Sequence, residues 1–169
     1  MQGHPGGEAH TDYMIELAFL PKGSRWLDMG AGDGSAVNLL RKNGYEAIGT
    51  DLAPKSDSVE KGDFLHTNYP NGAFDGILSQ CAFYACQDTE GALKEASRLL
   101  RKGGKLVFSD VCFDVVKLLN QVRQAGFSVR HIDDMTAQWR EYYLEALWRE
   151  ENVPTGKNCS YVMLVCERM

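Results

Sequence analysis

Apolar positions recur along this chain in two patterns, one typical of helices and one typical of buried strands. Residues 89–100 carry apolar side chains at helical spacing, and residues 73–81 form a short, mostly apolar run. A run of that kind is typical of a strand covered on both faces. Because such strands and helices alternate through most of the sequence, we predict an α/β fold with a doubly wound, mainly parallel sheet.

The sequence also gives approximate bounds for each element. A first strand is expected to begin near Arg25, with further strands at 45–52, 59–64, 73–81, 105–111, 127–132 and 161–166, and helices at 11–19, 35–43, 89–100, 114–125 and 136–151. Pro5, Gly6 and Gly7 oppose regular structure, so residues 1–10 are expected to form a flexible lead. No linker-like segment interrupts the pattern, and residues 1–169 are predicted to form a single domain.

The first predicted strand ends at an acidic residue and a glycine turn that leads into a helix. Gly30, Gly32 and Gly34 follow a G-x-G-x-G spacing, whereas a dinucleotide fingerprint has G-x-G-x-x-G. Asp28 and Asp33 flank the turn and would repel a pyrophosphate. They suit a ligand that carries an ammonium group and a second cationic centre, as S-adenosylmethionine (SAM) does. Many strand-to-helix turns are glycine-rich for steric reasons alone, so a purely structural role stays open.

A second acidic residue, Asp51, ends the next predicted strand. It follows Gly34 at close to the roughly 20-residue offset at which an acidic side chain meets a ribose in nucleotide-binding folds. An aspartate at a strand end can also serve as a helix cap or a turn residue. Because a strand and a glycine turn precede it at the expected distance, the pattern favours ribose binding.

Composition narrows the class of partner. The net charge of −5 argues against a broad nucleic-acid interface, and no apolar run has the length of a membrane span or the character of a signal peptide. We therefore expect a cytoplasmic protein with no membrane or nucleic-acid partner. The five cysteines include no C-x-x-C pair, so they are expected to be small buried residues, and no metal site is predicted.

Taken together, these motifs resemble those of the class I SAM-dependent methyltransferases over nearly the whole chain. The matching segments, in the family's order, are residues 27–34, Asp51, the triplet Gly62-Asp63-Phe64, residues 74–79 and residues 99–106. The resemblance implies a seven-stranded sheet of order 3-2-1-4-5-7-6 whose seventh strand is antiparallel. It also implies SAM as the cofactor and S-adenosylhomocysteine (SAH) as the product.

The resemblance further implies which residues contact the cofactor. The implied contacts are Asp28, Gly30, Ala31 and Gly32 with the methionine portion, Asp51 with the ribose hydroxyls, Leu52 and Phe64 with the adenine ring, Asp63 with the adenine amine, and Ser79, Gln80 and Cys81 as the floor under the sulfonium. Charge-assisted hydrogen bonds to a ribose are each worth about 1.5–3 kcal/mol, so Asp51 is expected to matter most for affinity.

Methyl transfer from a sulfonium requires alignment more than acid–base catalysis, so the family implies no obligatory catalytic residue. Tyr84, after the fourth strand, and Asp110, at the end of the fifth, are the candidates that could orient or deprotonate an acceptor. A tyrosine packed on the rim and an aspartate capping a turn are the structural alternatives. Cys81, Cys86 and Cys112 lie near the same rim and could hold a thiophilic acceptor, although their spacing does not match the arsenic methyltransferases.

Three functions are weighed on these observations. The leading one is an enzyme that methylates a small molecule, acting as a monomer or homodimer. The alternative is a non-catalytic SAM-binding module that regulates or scaffolds a partner. A nicotinamide-dependent oxidoreductase is the third, and both the glycine spacing and the flanking carboxylates count against it.

Overall fold

The computed structural model describes residues 5–148 and 159–169, without the side chains of residues 143–148. The helices are α1 (Gly7–Leu17), α2 (Ser35–Lys42), α3 (Thr89–Leu99), α4 (Val115–Gln124) and α5 (Thr136–Trp148). The strands are β1 (Arg25–Met29), β2 (Glu46–Asp51), β3 (Val59–Lys61), β4 (Phe74–Gln80), β5 (Leu100–Cys112), β6 (Phe127–Asp134) and β7 (Ser160–Arg168).

The seven strands form one sheet in the order β3-β2-β1-β4-β5-β7-β6, which confirms the predicted order. The pairs from β3 to β5 are parallel, and β7 is antiparallel to both of its neighbours. The chain leaves β1 toward β2 on one side and returns to β4 on the other. Ligands of open α/β sheets bind outside the carboxyl ends of the strands at such a switch point.

Helices cover both faces of the sheet, because successive strand residues point to opposite sides. On β1, Leu27 joins a buried cluster with residues of α3 and α4, whereas Trp26 joins a second cluster with residues of α1 and α2. Trp139 of α5 stacks on Tyr161 of β7, with ring centroids 6.2 Å apart, in a third cluster. The doubly wound architecture predicted from the alternation is confirmed.

The start of α1 corrects the predicted flexible lead. The helix begins at Gly7, inside the lead predicted for residues 1–10, and Gly6 precedes it in the left-handed conformation with φ 82°. Its first turns are held because His10 and Thr11 are buried. Thr11, the first residue of the predicted helix, therefore lies inside α1, and its hydroxyl donates to the Gly7 carbonyl. Gly6 can adopt the left-handed conformation that precedes the helix, so the glycine allowed a helix to start here. The composition of the segment alone did not indicate this.

Further bounds differ from prediction, and β3 ends at Lys61 and not at residue 64. Helix α3 ends at Leu99 and β5 begins at once, because Leu100 pairs with Phe74 and the Arg101 side chain forms an ion pair with Asp75. The predicted extension of the last helix to residue 151 lies outside the described residues. The described helices have 8 to 13 residues, and none of them is long and apolar enough to cross a membrane.

Candidate functional site

The glycine turn after β1 is tied to the end of β2 by backbone hydrogen bonds. The N–H groups of Gly30 and Ala31 donate to the Thr50 carbonyl at 2.9 and 3.1 Å. The Gly32 N–H donates to Oδ2 of Asp51 at 3.0 Å. The structure therefore brings Asp51 to the turn, as the sequence predicted, and gives this carboxylate a second task in holding the turn.

Two of the glycines are required for different reasons. Gly30 has φ 85°, and a Cβ on it would lie 2.4 Å from the Cβ of Ala82 in the segment after β4. Gly32 has φ 51°, and a Cβ there would meet no atom within 4 Å. Gly30 therefore allows close packing between two loops, whereas Gly32 leaves open space above the turn, where a ligand can approach the backbone.

Asp28, at the end of β1, is the buried carboxylate of this corner. It is 3% exposed, and burial, together with the smaller effect of the negative charges of Asp51 and Asp33, raises its pKa to about 7. Burial disfavours the charged form of a carboxyl group, and so do like charges. The corner therefore stabilises positive charge placed beside it.

The backbone N–H groups of the turn have partners within the chain. Besides the three described above, Gly34 donates to the Ala31 carbonyl at 2.8 Å, and the Ser35 N–H donates to Oδ1 of Asp33 at 3.0 Å. These contacts engage the N–H groups of residues 30–32, Gly34 and Ser35, so a pyrophosphate would have to compete for them. Together with the carboxylates, this arrangement fits a ligand with cationic groups better than a dinucleotide.

The three residues that the resemblance places against the adenine differ in how far their side chains are exposed. Leu52 is 65% exposed next to Asp51. Asp63 accepts from the Leu65 N–H at 2.9 Å and lies 3.1 Å from Nδ1 of His66, and this hydrogen bond to His66 lowers its pKa. The Phe64 ring is buried, 6.1 Å from the Phe83 ring centroid. The exposed leucine and the aspartate can face a ligand, whereas Phe64 offers its backbone.

The predicted floor residues at the end of β4 are partly used by the fold itself. The Ser79 hydroxyl is buried and donates to the Met29 carbonyl at 2.9 Å, which ties β4 to β1. Oε1 of Gln80 accepts from the Thr11 hydroxyl at 3.3 Å, and its amide nitrogen contacts Met14 Sδ at 3.4 Å. Gln80 therefore fixes α1 over the end of β4.

Cys81 follows β4 in an unusual conformation. Its φ is 57°, and its Sγ lies 3.2 Å from the hydroxyl of Tyr161, which is 2.9 Å from Ser109 Oγ. Burial raises the pKa of this thiol to about 12, so it is uncharged at neutral pH. A positive φ in a residue other than glycine is costly, and such strain is concentrated at functional sites.

Asp110 and Tyr84, the two candidate catalytic residues, are in contact through the backbone of Tyr84. Asp110 is 5% exposed, and its carboxylate accepts from the N–H groups of Tyr84 at 2.9 Å and Val111 at 2.7 Å. Burial raises its pKa to about 6 despite these hydrogen bonds. The Tyr84 side chain is 44% exposed, with its ring centroid 5.8 Å from that of Phe113. Asp110 thus holds the loop that presents Tyr84.

A cavity of about 610 Å³ lies beside this loop, between the first turns of α3 and α4, and we call it the α3–α4 cavity. Its lining residues are Phe83, Tyr84, Gln87, Asp88, Thr89, Glu90, Phe108, Asp110, Val111, Cys112, Phe113, Asp114, Lys117, Leu118 and Gln121. Sequence reasoning missed Phe113 and Lys117 as site residues. The available signal was their position, since Phe113 directly follows β5 and Lys117 lies in the first turn of α4.

The cysteines near this edge are not assembled for metal binding. Cys86 Sγ donates to the Phe83 carbonyl at 3.1 Å, while Cys81 contacts Tyr161. Among the described residues, no three histidine, cysteine, aspartate or glutamate side chains converge as metal ligands would. A thiophilic acceptor held by Cys81, Cys86 and Cys112 gains no support from this arrangement.

Known proteins resemble this chain in sequence. A family profile described as a methyltransferase domain matches residues 8–161. An uncharacterized methyltransferase of Anoxybacillus flavithermus is 33% identical over 133 residues, which cover 69% of this chain and 61% of that relative. The chain thus spans about three fifths of that relative's length.

Solved structures share the fold at low sequence identity. Haemonchus contortus phosphoethanolamine N-methyltransferase 2 in complex with SAM aligns with a TM-score of 0.81 and 16% identity, covering 98% of this chain and 53% of that one. The cyclase SpnF aligns with a TM-score of 0.79 and 19% identity, covering 94% of this chain and 80% of that one. At such identities the likeness concerns the fold, and the fold serves more than one chemistry.

Proposed function

Because the chain belongs to the class I SAM-dependent methyltransferases, we propose that it transfers the methyl group of SAM to a small-molecule acceptor and releases SAH. The observation that carries this proposal is the glycine corner. Two carboxylates, Asp28 and Asp51, lie there beside an open turn at Gly32, and the N–H groups of residues 30–32 already donate within the chain.

The corner fits each part of the proposed cofactor. The carboxylate of Asp51, although it holds the Gly32 and Ala53 N–H groups, keeps lone pairs for the ribose hydroxyls. The exposed Leu52 would pack on the adenine, and Asp63 would accept from the adenine amine. Asp28 would favour the positively charged methionine portion beside Gly30 and Gly32. When bound, SAM supplies a methyl group on a positively charged sulfur.

The chain's own contribution to the reaction is alignment. Gln80 and Cys81 at the end of β4 would form the floor beside the reacting group, and the buried Ser79 would hold this floor to β1. Tyr84 would contact the acceptor, since its exposed ring lines the α3–α4 cavity. Positioning of this kind can lower a barrier by about 7–11 kcal/mol.

Asp110 is proposed as a positioning residue and not as the base. Its carboxylate is buried and accepts from two backbone N–H groups, one of which belongs to Tyr84. Losing those hydrogen bonds would release the loop at residues 83–84. We expect Asp110→Asn to raise KM for the acceptor while kcat falls without a new pH dependence, because the loop loses its position and no proton acceptor is removed.

The acceptor is proposed to be small because the cavity at the carboxyl ends of the strands has a volume of about 610 Å³ and the protein is acidic overall. The cytoplasm is the proposed location. The monomeric or homodimeric state and the lack of a nucleic-acid partner stay predictions from composition.

The test of the proposed function is SAH release. Purified protein is mixed with SAM and a panel of small amines, phenols, thiols and carboxylic acids, and SAH is quantified by mass spectrometry. Release of SAH with at least one acceptor, abolished by Asp51→Ala, is the expected result. SAM binding without SAH release for every class would favour the non-catalytic module.

A further inference from the structure

The α3–α4 cavity shares a wall with the glycine corner. Ala82 packs so closely on Gly30 that a Cβ there would lie 2.4 Å away, and the next two residues, Phe83 and Tyr84, line the cavity. Strand pairing joins the two sites as well, because Gln80 on β4 lies opposite Ser109, next to Asp110. A molecule in this cavity therefore lies next to the floor proposed for the cofactor.

Two aromatic side chains of the cavity lining are exposed. The side chains of Tyr84 and Phe113 are 44% and 57% exposed, and their ring centroids are 5.8 Å apart. Exposed neighbouring rings in a concave site offer apolar contact and negative π faces. These faces attract organic cations more than neutral molecules of the same shape.

The charged side chains around the cavity are predominantly negative. Asp88, Asp110 and Asp114 line it together with one cationic side chain, Lys117. The fourth acid of the lining, Glu90, is paired with Lys94 at 2.6 Å on the same helix.

The negative field is felt by a neighbouring thiol. Cys112 also lines the cavity. Burial raises its pKa, and the charges of Asp114 and Asp110 raise it further. The same carboxylates that raise this pKa favour positive charge within the lining.

An anionic ligand is disfavoured although two helices begin here. The free N–H groups of a helix start can bind anions, but Asp88 already accepts from Gly91 N–H at 2.8 Å and Asp114 from Lys117 N–H at 2.9 Å. Both helix starts are therefore occupied by carboxylates of the chain itself. An anion would have to approach these charges, whereas a cation would be attracted by them.

We propose that the α3–α4 cavity binds the ammonium group of the methyl acceptor, an amine or quaternary ammonium compound that is methylated at another atom, because an ammonium nitrogen has no lone pair to attack the methyl group. The aromatic pair Tyr84 and Phe113 supplies the cation–π contact, and Asp88 and Asp114 supply the opposing charge. The inference rests on the proposed function for its link to methyl transfer. The binding it predicts is measured without turnover.

The experiment compares two probes that differ in charge and hardly in shape. Choline and its neutral isostere 3,3-dimethylbutan-1-ol are titrated into the protein saturated with SAH, with two-dimensional NMR as the readout. Choline is expected to bind at least about tenfold more tightly, with shifts at residues of the cavity lining. Its affinity is expected to fall as salt rises, because opposite charges in a partly open site are screened.

Matched variants separate charge from shape. Asn is as good an N-cap as Asp, so Asp88→Asn and Asp114→Asn retain the caps and remove the charges. Each is expected to weaken choline binding about three- to tenfold and to leave the isostere unchanged. Phe113→Leu should have a similar effect by removing a π face. Val116→Ala, at a 69% exposed position of α4 outside the lining, is the control expected to change neither.

Each outcome bears on a different claim. Equal or tighter binding of the neutral isostere, or no binding of choline while SAH binds, overturns the assignment of the cavity to a cation and leaves the proposed function standing. Failure of SAH to bind overturns the proposed function and this inference with it. Choline shifts that map outside the lining also contradict the inference.

Discussion

At the scale of single residues, the site is built from side chains that serve the fold and the ligand at once. Asp51 fastens the glycine turn through Gly32 N–H and remains only partly buried. The glycines and aspartates of the corner were predictable, because a motif fixes their spacing. The burial of Phe64 and Ser79 was not, since the face to which a side chain points depends on strand register and on the loop that follows.

Asp51 provides the first prediction. Asp51→Ala removes the proposed ribose contacts and the support of the turn, so SAM affinity is expected to fall roughly 100-fold. Calorimetry with SAH gives the ratio directly. Asp57→Ala makes the same change of charge at an exposed position of the following loop and is expected to alter the affinity by less than about twofold. A loss under threefold for a folded Asp51→Ala protein would remove the ribose role.

Asp28 provides a pH prediction. Its pKa of about 7 in the folded protein is above its ordinary value of 3.8, so the folded state holds the extra proton between these values. The stability that this group contributes is therefore present at low pH and is lost as pH rises toward 7. A cationic ligand favours the charged carboxylate, so SAM affinity is expected to rise from pH 5.5 to about 7.5, with release of a proton on binding.

Calorimetry in two buffers of different ionisation enthalpy measures that proton. Asp28→Asn has the same shape and no charge to gain, so its SAM affinity should be flat over this pH range. A flat profile for the unmodified protein, or proton uptake on binding, would contradict the proposed electrostatic role of Asp28.

At the scale of elements, the corner depends on how β1, β2 and the segment after β4 meet. The hydrophobic pattern predicted most strands and helices, because burial on two faces leaves a clear period in the sequence. It placed the start of α1 too late and the end of α3 too far along. Both bounds depend on tertiary partners, such as the pairing of Leu100 with Phe74, which no local pattern reveals.

The two glycines of the turn are expected to respond differently to alanine. Gly30→Ala combines a positive φ with a Cβ placed 2.4 Å from Ala82, so it should lower the free energy of unfolding by about 2–4 kcal/mol. Gly32→Ala meets no atom, so it should cost only about 1–2 kcal/mol from the backbone conformation. The larger effect of Gly32→Ala should be on SAM affinity, because the methyl group of the new alanine would occupy the open space above the turn.

Urea denaturation and SAH titration of both variants separate these effects. The double variant Gly30→Ala/Ala82→Gly removes the opposing methyl group and should recover part of the lost stability. Equal destabilisation by the two single substitutions would contradict the packing role assigned to Gly30.

At the scale of the whole molecule, the strand order brings the candidate residues together at the carboxyl ends of the strands of one sheet. The order was predicted from the family's motifs, and the structure confirms it. The α3–α4 cavity could not be foreseen in the same way, because it depends on the relative placement of two helix starts and a loop. Phe113 belongs to no sequence motif, and it becomes part of a site only through that placement.

Ligand binding should be visible in global stability. A ligand that binds only the folded protein stabilises it by about 2.7 kcal/mol at a concentration one hundred times its Kd. For a chain of this size, SAH at that excess should raise Tm by roughly 5–10 °C. Differential scanning fluorimetry measures the shift, and the Asp51→Ala variant should show little of it at the same concentration.

The most direct test of the central claim is a parallel calorimetric titration of the purified protein with SAM, SAH and NAD. The account predicts micromolar binding of SAM and SAH and no binding of NAD, because the corner would place carboxylates beside a pyrophosphate and the N–H groups of its glycine turn already donate within the chain. Binding of NAD without SAM would contradict it.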